Sequence, residues 1–74
     1  MSRLPTVTAR ELIRVLQKAG FEARHQRGSH QHFYHPILEK WVTVPIHRGD
    51  LKRPLFKAIL KQANLSEEAF DELS

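Results

Sequence analysis

The chain contains no cysteine, which excludes disulfides, thiolate zinc sites, iron–sulfur clusters and a cysteine nucleophile. It also lacks any apolar run approaching the length of a membrane span or a signal-peptide core. Together these point to a soluble, cytoplasmic protein with no membrane partner. No internal repeat, linker or low-complexity segment divides the 74 residues, which read as one domain spanning 1–74. At this size folding buries roughly 60–65% of the chain's surface, so one thin core is the most it can build, and a large buried active-site cavity is excluded. The hydrophobic content of 41% with 27% charged residues is that of a folded chain rather than a disordered one.

Acidic residues are scarce over most of the length. Four of the eight (Glu67, Glu68, Asp71 and Glu72) lie in the last eight residues, whereas all twelve Lys and Arg fall in residues 1–65, leaving that stretch at +8. A surface this basic attracts polyanions, nucleic acid first. Histidine is also crowded, with four of the five between His25 and His35.

Thr8-Ala9-Arg10-Glu11 has the capping-box pattern. Leu12, Ile13, Leu16 and Ala19 follow at helical spacing, and Gly20 supplies a stop, so a first helix is expected over about Ala9–Ala19. From Phe21 to Gln26 the chain alternates, which places Phe21, Ala23 and His25 on one face and Glu22, Arg24 and Gln26 on the other. Arg27-Gly28-Ser29 is a tight-turn sequence. His30 to His35 resumes a strand, and turning Phe33 inward sends His30, His32 and Tyr34 outward; Pro36–Lys40 is a turn. Trp41–Pro45 is a third strand with Val42 and Val44 facing the core, ended by a proline that cannot sustain a ladder. After a loop over Ile46–Lys52, a second helix runs from Arg53 or Pro54 to Ala63, its apolar face formed by Leu55, Phe56, Ile59, Leu60 and Ala63. Ser66-Glu67-Glu68-Ala69-Phe70 reads as a capped helical turn, with Phe70 and Leu73 pinning the tail. The expected fold is α+β, ordered α-β-β-β-α: a three-stranded antiparallel sheet with two helices on one face and the other face open. The double-stranded-RNA-binding domain has this arrangement.

The open face is expected to carry Arg24, Gln26, His30, His32, Tyr34, Trp41 and Thr43, with no carboxylate cluster. That set suits a phosphodiester. Arg24 or a lysine can hold phosphate oxygens, Tyr34 and Trp41 can stack on bases, and a histidine can exchange the proton of a ribose 2′-OH. RNA brings its own nucleophile in that hydroxyl, so one base and a charge clamp are enough, and no metal or cofactor is called for. His30, next to Gly28-Ser29 at the mouth of a hairpin, is the sharpest candidate. The RNA-binding candidates are Arg24, Arg27, His32, Tyr34, Trp41 and Lys57. His30 and His32 would also make a bidentate metal pair, but strand two has no acid to complete it. His25 and His35 are expected at the edge of the core. These residues leave open a non-catalytic RNA-binding module, or a domain whose basic face binds an acidic protein.

Several segments resemble the HicA family of toxin–antitoxin RNases: Glu11-Leu12-Ile13-Arg14-Val15-Leu16, Gly20-Phe21, Arg27-Gly28-Ser29-His30-Gln31-His32-Phe33, Val42-Thr43-Val44-Pro45-Ile46-His47, and Leu55-Phe56-Lys57-Ala58-Ile59-Leu60-Lys61-Gln62-Ala63. Their order and spacing match over roughly residues 9–70, and they are specific in combination rather than singly. The resemblance implies a fold like that of double-stranded-RNA-binding domains and ribosome-independent cleavage of mRNA. It also implies a catalytic histidine in the Gly-Ser-His motif, which here is His30, and a HicB-type antitoxin that masks the site. Met1 to Val7 extend beyond the family's usual start, and the sequence suggests no role for them.

Overall fold

The computed structural model describes residues 6–74. Strand β1 (Val7–Thr8) leads into helix α1 (Ala9–Lys18), then strands β2 (Glu22–Arg27), β3 (His30–His35) and β4 (Lys40–Pro45), a short strand β5 (Asp50–Leu51), and helices α2 (Arg53–Gln62) and α3 (Glu67–Leu73). The main elements follow the α-β-β-β-α order, with an antiparallel β2-β3-β4 sheet.

Helix α1 starts where its cap directs. The Thr8 hydroxyl accepts from the Glu11 N–H at 3.1 Å, and the Glu11 carboxylate accepts from the Thr8 N–H at 3.0 Å, so two amides that have no partner within the helix are satisfied reciprocally. Leu12, Val15 and Leu16 are buried along one stripe. At the other end Phe21 N–H donates to Leu16 O (2.9 Å) and Gly20 N–H to Gln17 O (3.1 Å), a Schellman closure that requires the positive φ of Gly20 (+107°). Helix α2 closes in the same way with Asn64 (φ +60°), through Leu65 N–H to Leu60 O at 2.9 Å.

One pairing departs from the expected layout. Val7 is fully buried and pairs antiparallel with Leu51, itself 2% exposed, so the Ile46–Lys52 loop contains a strand and a core residue. Val7 precedes the cap and Leu12 is the fourth residue of the helix, the two positions of a hydrophobic staple, and both belong to the core. Val7 therefore has a structural role; residues 1–5 lie outside the described residues. The C-terminal turn is a full helix, α3, capped by Ser66, whose Oγ accepts from Ala69 N–H at 3.0 Å. Phe70 is completely buried, edge-on to Phe56 with ring centroids 5.0 Å apart.

The core lies between the helices and the inner face of β3 and β4, where Phe33, Val42 and Val44 meet Leu12, Val15, Leu16, Phe56, Ile59 and Leu60. Two expectations for the apolar faces are corrected here. Leu55 turns away from the core and is exposed, because the helix stripe is set by Phe56, Ile59, Leu60 and Ala63. Ala23 is exposed too, as is every residue of β2, a strand at the edge of the sheet.

Strand β2 also departs from simple alternation. Ala23 pairs with Phe33, but Gln26 pairs with Gln31, so Arg24 and His25 together stand opposite His32 in a β-bulge. The bulge reverses facing from that point on. His25, expected at the core edge, joins the outer face, and Gln26, expected outside, pairs with Gln31 on the opposite side. Arg27 belongs to the strand rather than to the turn, leaving a two-residue loop of Gly28 and Ser29, with Gly28 at φ +58° as a glycine-first hairpin loop requires.

Candidate nucleic-acid face

Three rows cross the outer face of the sheet: Arg27–His30–Pro45, then His32–Thr43 with His25 beside it, then Glu22–Tyr34–Trp41. Each row takes one position from each strand, because residues paired across a ladder share a face. The arrangement follows from Phe33, whose full burial on β3 forces His32 and Tyr34, and with them His30, outward.

His30 is exposed at the first position of β3. The backbone around it is held firmly. Ile46 N–H donates to Ser29 O at 2.6 Å, tying the hairpin loop to the exit of β4. Among the described residues no hydrogen bond restrains the His30 ring, and Arg27 is its cross-strand neighbour. In the next row the His32 ring is restrained on two sides. Its Nδ1 lies 2.8 Å from Thr43 Oγ1, and its face lies against the His25 ring, with centroids 4.7 Å apart and planes tilted by 42°.

The third row is aromatic. Tyr34 and Trp41 lie with ring centroids 4.8 Å apart, and Trp41 is 54% exposed. The Arg24 guanidinium carbon sits 5.5 Å from the Tyr34 centroid, within cation–π range, and Arg24 also meets Glu22 at 3.1 Å. That ion pair is exposed on both sides and holds Arg24 only weakly, so the guanidinium remains available to an anion.

The bulge that delivers His25 and Arg24 to this face depends on Gln31, a residue sequence reasoning assigned no role. The Gln31 amide donates to Arg24 O at 2.6 Å and lies 3.4 Å from His25 O, so it covers the backbone carbonyls that the bulge takes out of the ladder. No local pattern signals this, since Gln31 acts across the hairpin, seven residues away.

Of the expected site residues, the sheet brings together His30, Arg24, Arg27, His32, Tyr34 and Trp41. Lys57 does not join them. It lies on the helical side, in a groove with Pro54, Lys61 and Leu65. His35 sits at the edge of the core, only 9% exposed, and acts as a structural latch. Its Nδ1 accepts from the Leu38 and Ile37 N–H groups (3.1 and 3.3 Å) and its Nε2–H donates to Ala19 O (3.1 Å). Among the described residues no three His, Asp or Glu side chains converge in a metal-binding group, and no helix is long and apolar enough to cross a membrane.

The fold and this face define a small α+β protein with an open, basic sheet surface bearing histidines and aromatic rings. Residues 9–65 match the family model described as the HicA toxin of bacterial toxin-antitoxin, and the chain belongs to that family. No curated protein matches it. Membership makes it a toxin-type component for which the family implies an antitoxin partner.

Proposed function

We propose that the chain is a cytoplasmic endoribonuclease that cuts mRNA without a metal ion, with His30 as the catalytic base. The observation that carries this reading is the placement of His30: exposed on the open sheet face, beside a two-residue glycine loop that lets a substrate backbone approach, and cross-strand from Arg27. His30 takes the proton of a ribose 2′-OH, and the resulting alkoxide attacks the adjacent phosphorus. Arg27, opposite His30, holds the non-bridging oxygens as negative charge builds on them, and Arg24, two rows along beside Tyr34, takes a neighbouring phosphate. Tyr34 and Trp41 receive flanking bases, His32 lies one row from the reacting phosphate, and Lys57 serves RNA that extends round to the helical side. The 2′-oxygen is the nucleophile, so the upstream product ends in a 2′,3′-cyclic phosphate and the downstream product in a 5′-OH.

A HicB-type antitoxin inhibits by covering this face. A standard interface of about 800 Å² per partner is about a sixth of the chain's 5123 Å² of accessible surface. Acidic groups on the antitoxin, placed like RNA phosphates, would face Arg24 and Arg27. A core as thin as this one leaves little room for inhibition through a second stable fold.

Incubating purified protein with mRNA in excess EDTA tests the reading. Cleavage with cyclic-phosphate and 5′-OH ends is expected. RNA that is bound but left intact would identify a binding module, and cleavage that returns only when a divalent ion is restored would refute the metal-free mechanism.

A further inference from the structure

The second row of the open face carries an acid–base group better oriented than His30 itself. His32 lies two residues along β3 from His30 on the same side of the sheet, about 6.6 Å away at the rise of an extended strand. Thr43 Oγ1 engages its Nδ1 at 2.8 Å, which leaves Nε2 as the nitrogen available to a ligand. The His25 ring, brought over by the Gln31-anchored bulge, closes the other side at 4.7 Å. A histidine whose second nitrogen is held by a neighbouring side chain is the usual arrangement of a working acid or base. The rings of His25 and His30 have no such hydrogen bond among the described residues.

The chemistry requires a second proton transfer. In an in-line displacement the attacking and leaving oxygens lie on opposite sides of phosphorus, so a ring beside the 2′-oxygen does not also reach the 5′-oxygen. We infer that His32 is the general acid of the reaction, oriented by Thr43; this rests on the cleavage reading above. His30 takes the 2′-OH proton, and the 2′-oxygen lone pair forms the new bond to phosphorus. The P–O5′ bond breaks with its electron pair passing to the 5′-oxygen, which takes a proton from His32 Nε2. Each turnover leaves His30 with one proton more and His32 with one fewer, and exchange with solvent restores both.

A leaving group that needs no proton isolates the role. In RNA whose bridging 5′-oxygen at the scissile bond is replaced by sulfur, the departing thiolate requires no acid. His32→Ala is expected to cut ordinary RNA about 10²–10⁴-fold more slowly than the wild type, and the sulfur-bridged RNA within a few-fold of it. Thr43→Val, which keeps the histidine and removes its holder, should show a smaller loss that the sulfur substrate likewise relieves. His30→Ala should be slow on both. Equal loss on the two substrates for His32→Ala and Thr43→Val would overturn the assignment and make His32 a binding residue. Relief by sulfur in His25→Ala alone would also overturn it, by moving the acid to His25. Wild-type protein that cuts neither substrate would instead refute the cleavage reading on which the inference rests.

Discussion

The contact between Gly20 and His35 makes a quantitative test of how the helical layer is fastened to the sheet. An alanine Cβ at position 20 would stand 2.6 Å from His35 Nε2 and 3.1 Å from Cδ2. The ring cannot swing aside freely, because hydrogen bonds to Ala19 O, Ile37 N–H and Leu38 N–H hold it. Gly20→Ala therefore incurs two costs. Forcing an L-residue to φ +107° costs roughly 1–2 kcal/mol. Displacing the ring forfeits three hydrogen bonds at about 1 kcal/mol each. The total, about 4–5 kcal/mol, is a large share of the roughly 4–11 kcal/mol expected for a chain of this length. The midpoint of thermal unfolding should fall by about 16 °C or more, at roughly 4–8 °C per kcal/mol. Far-UV circular dichroism on Gly20→Ala, His35→Ala and the double variant completes a mutant cycle. With His35 already truncated the collision is gone, so Gly20→Ala should then cost only its backbone strain of roughly 1–2 kcal/mol. A Gly20→Ala midpoint within about 4 °C of wild type, or an equal cost in both backgrounds, would refute the latch.

Other expectations concern the open face. Trp41 is the only tryptophan, so single-stranded RNA stacking on it should quench the protein's indole fluorescence, and Trp41→Ala should weaken binding by about 1–3 kcal/mol; unchanged emission at saturation would remove the aromatic row from the interface. Contact with about four phosphates should give a slope of log K against log salt near −3, and Arg27→Gln should make it shallower by about 0.7; a slope near zero would exclude the basic surface. A bound HicB-type antitoxin should protect the His30 hairpin from hydrogen exchange. Protection confined to the α2–α3 side, with His30 still open to RNA, would mean that inhibition works by another route.

The parts of the fold that could be read in the sequence are those specified by local chemistry. Thr8 and Glu11 cap a helix that Gly20 ends, and Leu12 and Leu16 are buried as their spacing predicts, whereas Val15 takes the core position and Ile13 and Ala19 are only half-buried. On β3 and β4 a period of two with Phe33, Val42 and Val44 inward was enough to place His30, His32, Tyr34 and Trp41 outside. What was missed depends on partners distant in sequence. His25 reaches the outer face only because a side-chain amide on the next strand holds a bulge open, and alternation alone sends it the other way. Val7 and Leu51 make a two-residue pairing too short to leave a periodic signal. Leu55 fits the helical pattern as well as Phe56 does, and only the position of the sheet decides which is buried. Lys57 shares only its charge with the RNA-binding candidates, and charge carries no information about which layer of the fold presents it.

The proposed function stands on His30, in the Arg27–His30–Pro45 row of the sheet, as the residue that performs the chemistry. His30→Ala removes an exposed side chain from outside the core, so its unfolding midpoint should match that of the wild type. Its RNA cleavage rate, measured in EDTA on that folded protein, should fall about 10²–10⁴-fold or more, with RNA binding retained. A folded His30→Ala protein that cuts mRNA at close to the wild-type rate would contradict the assignment.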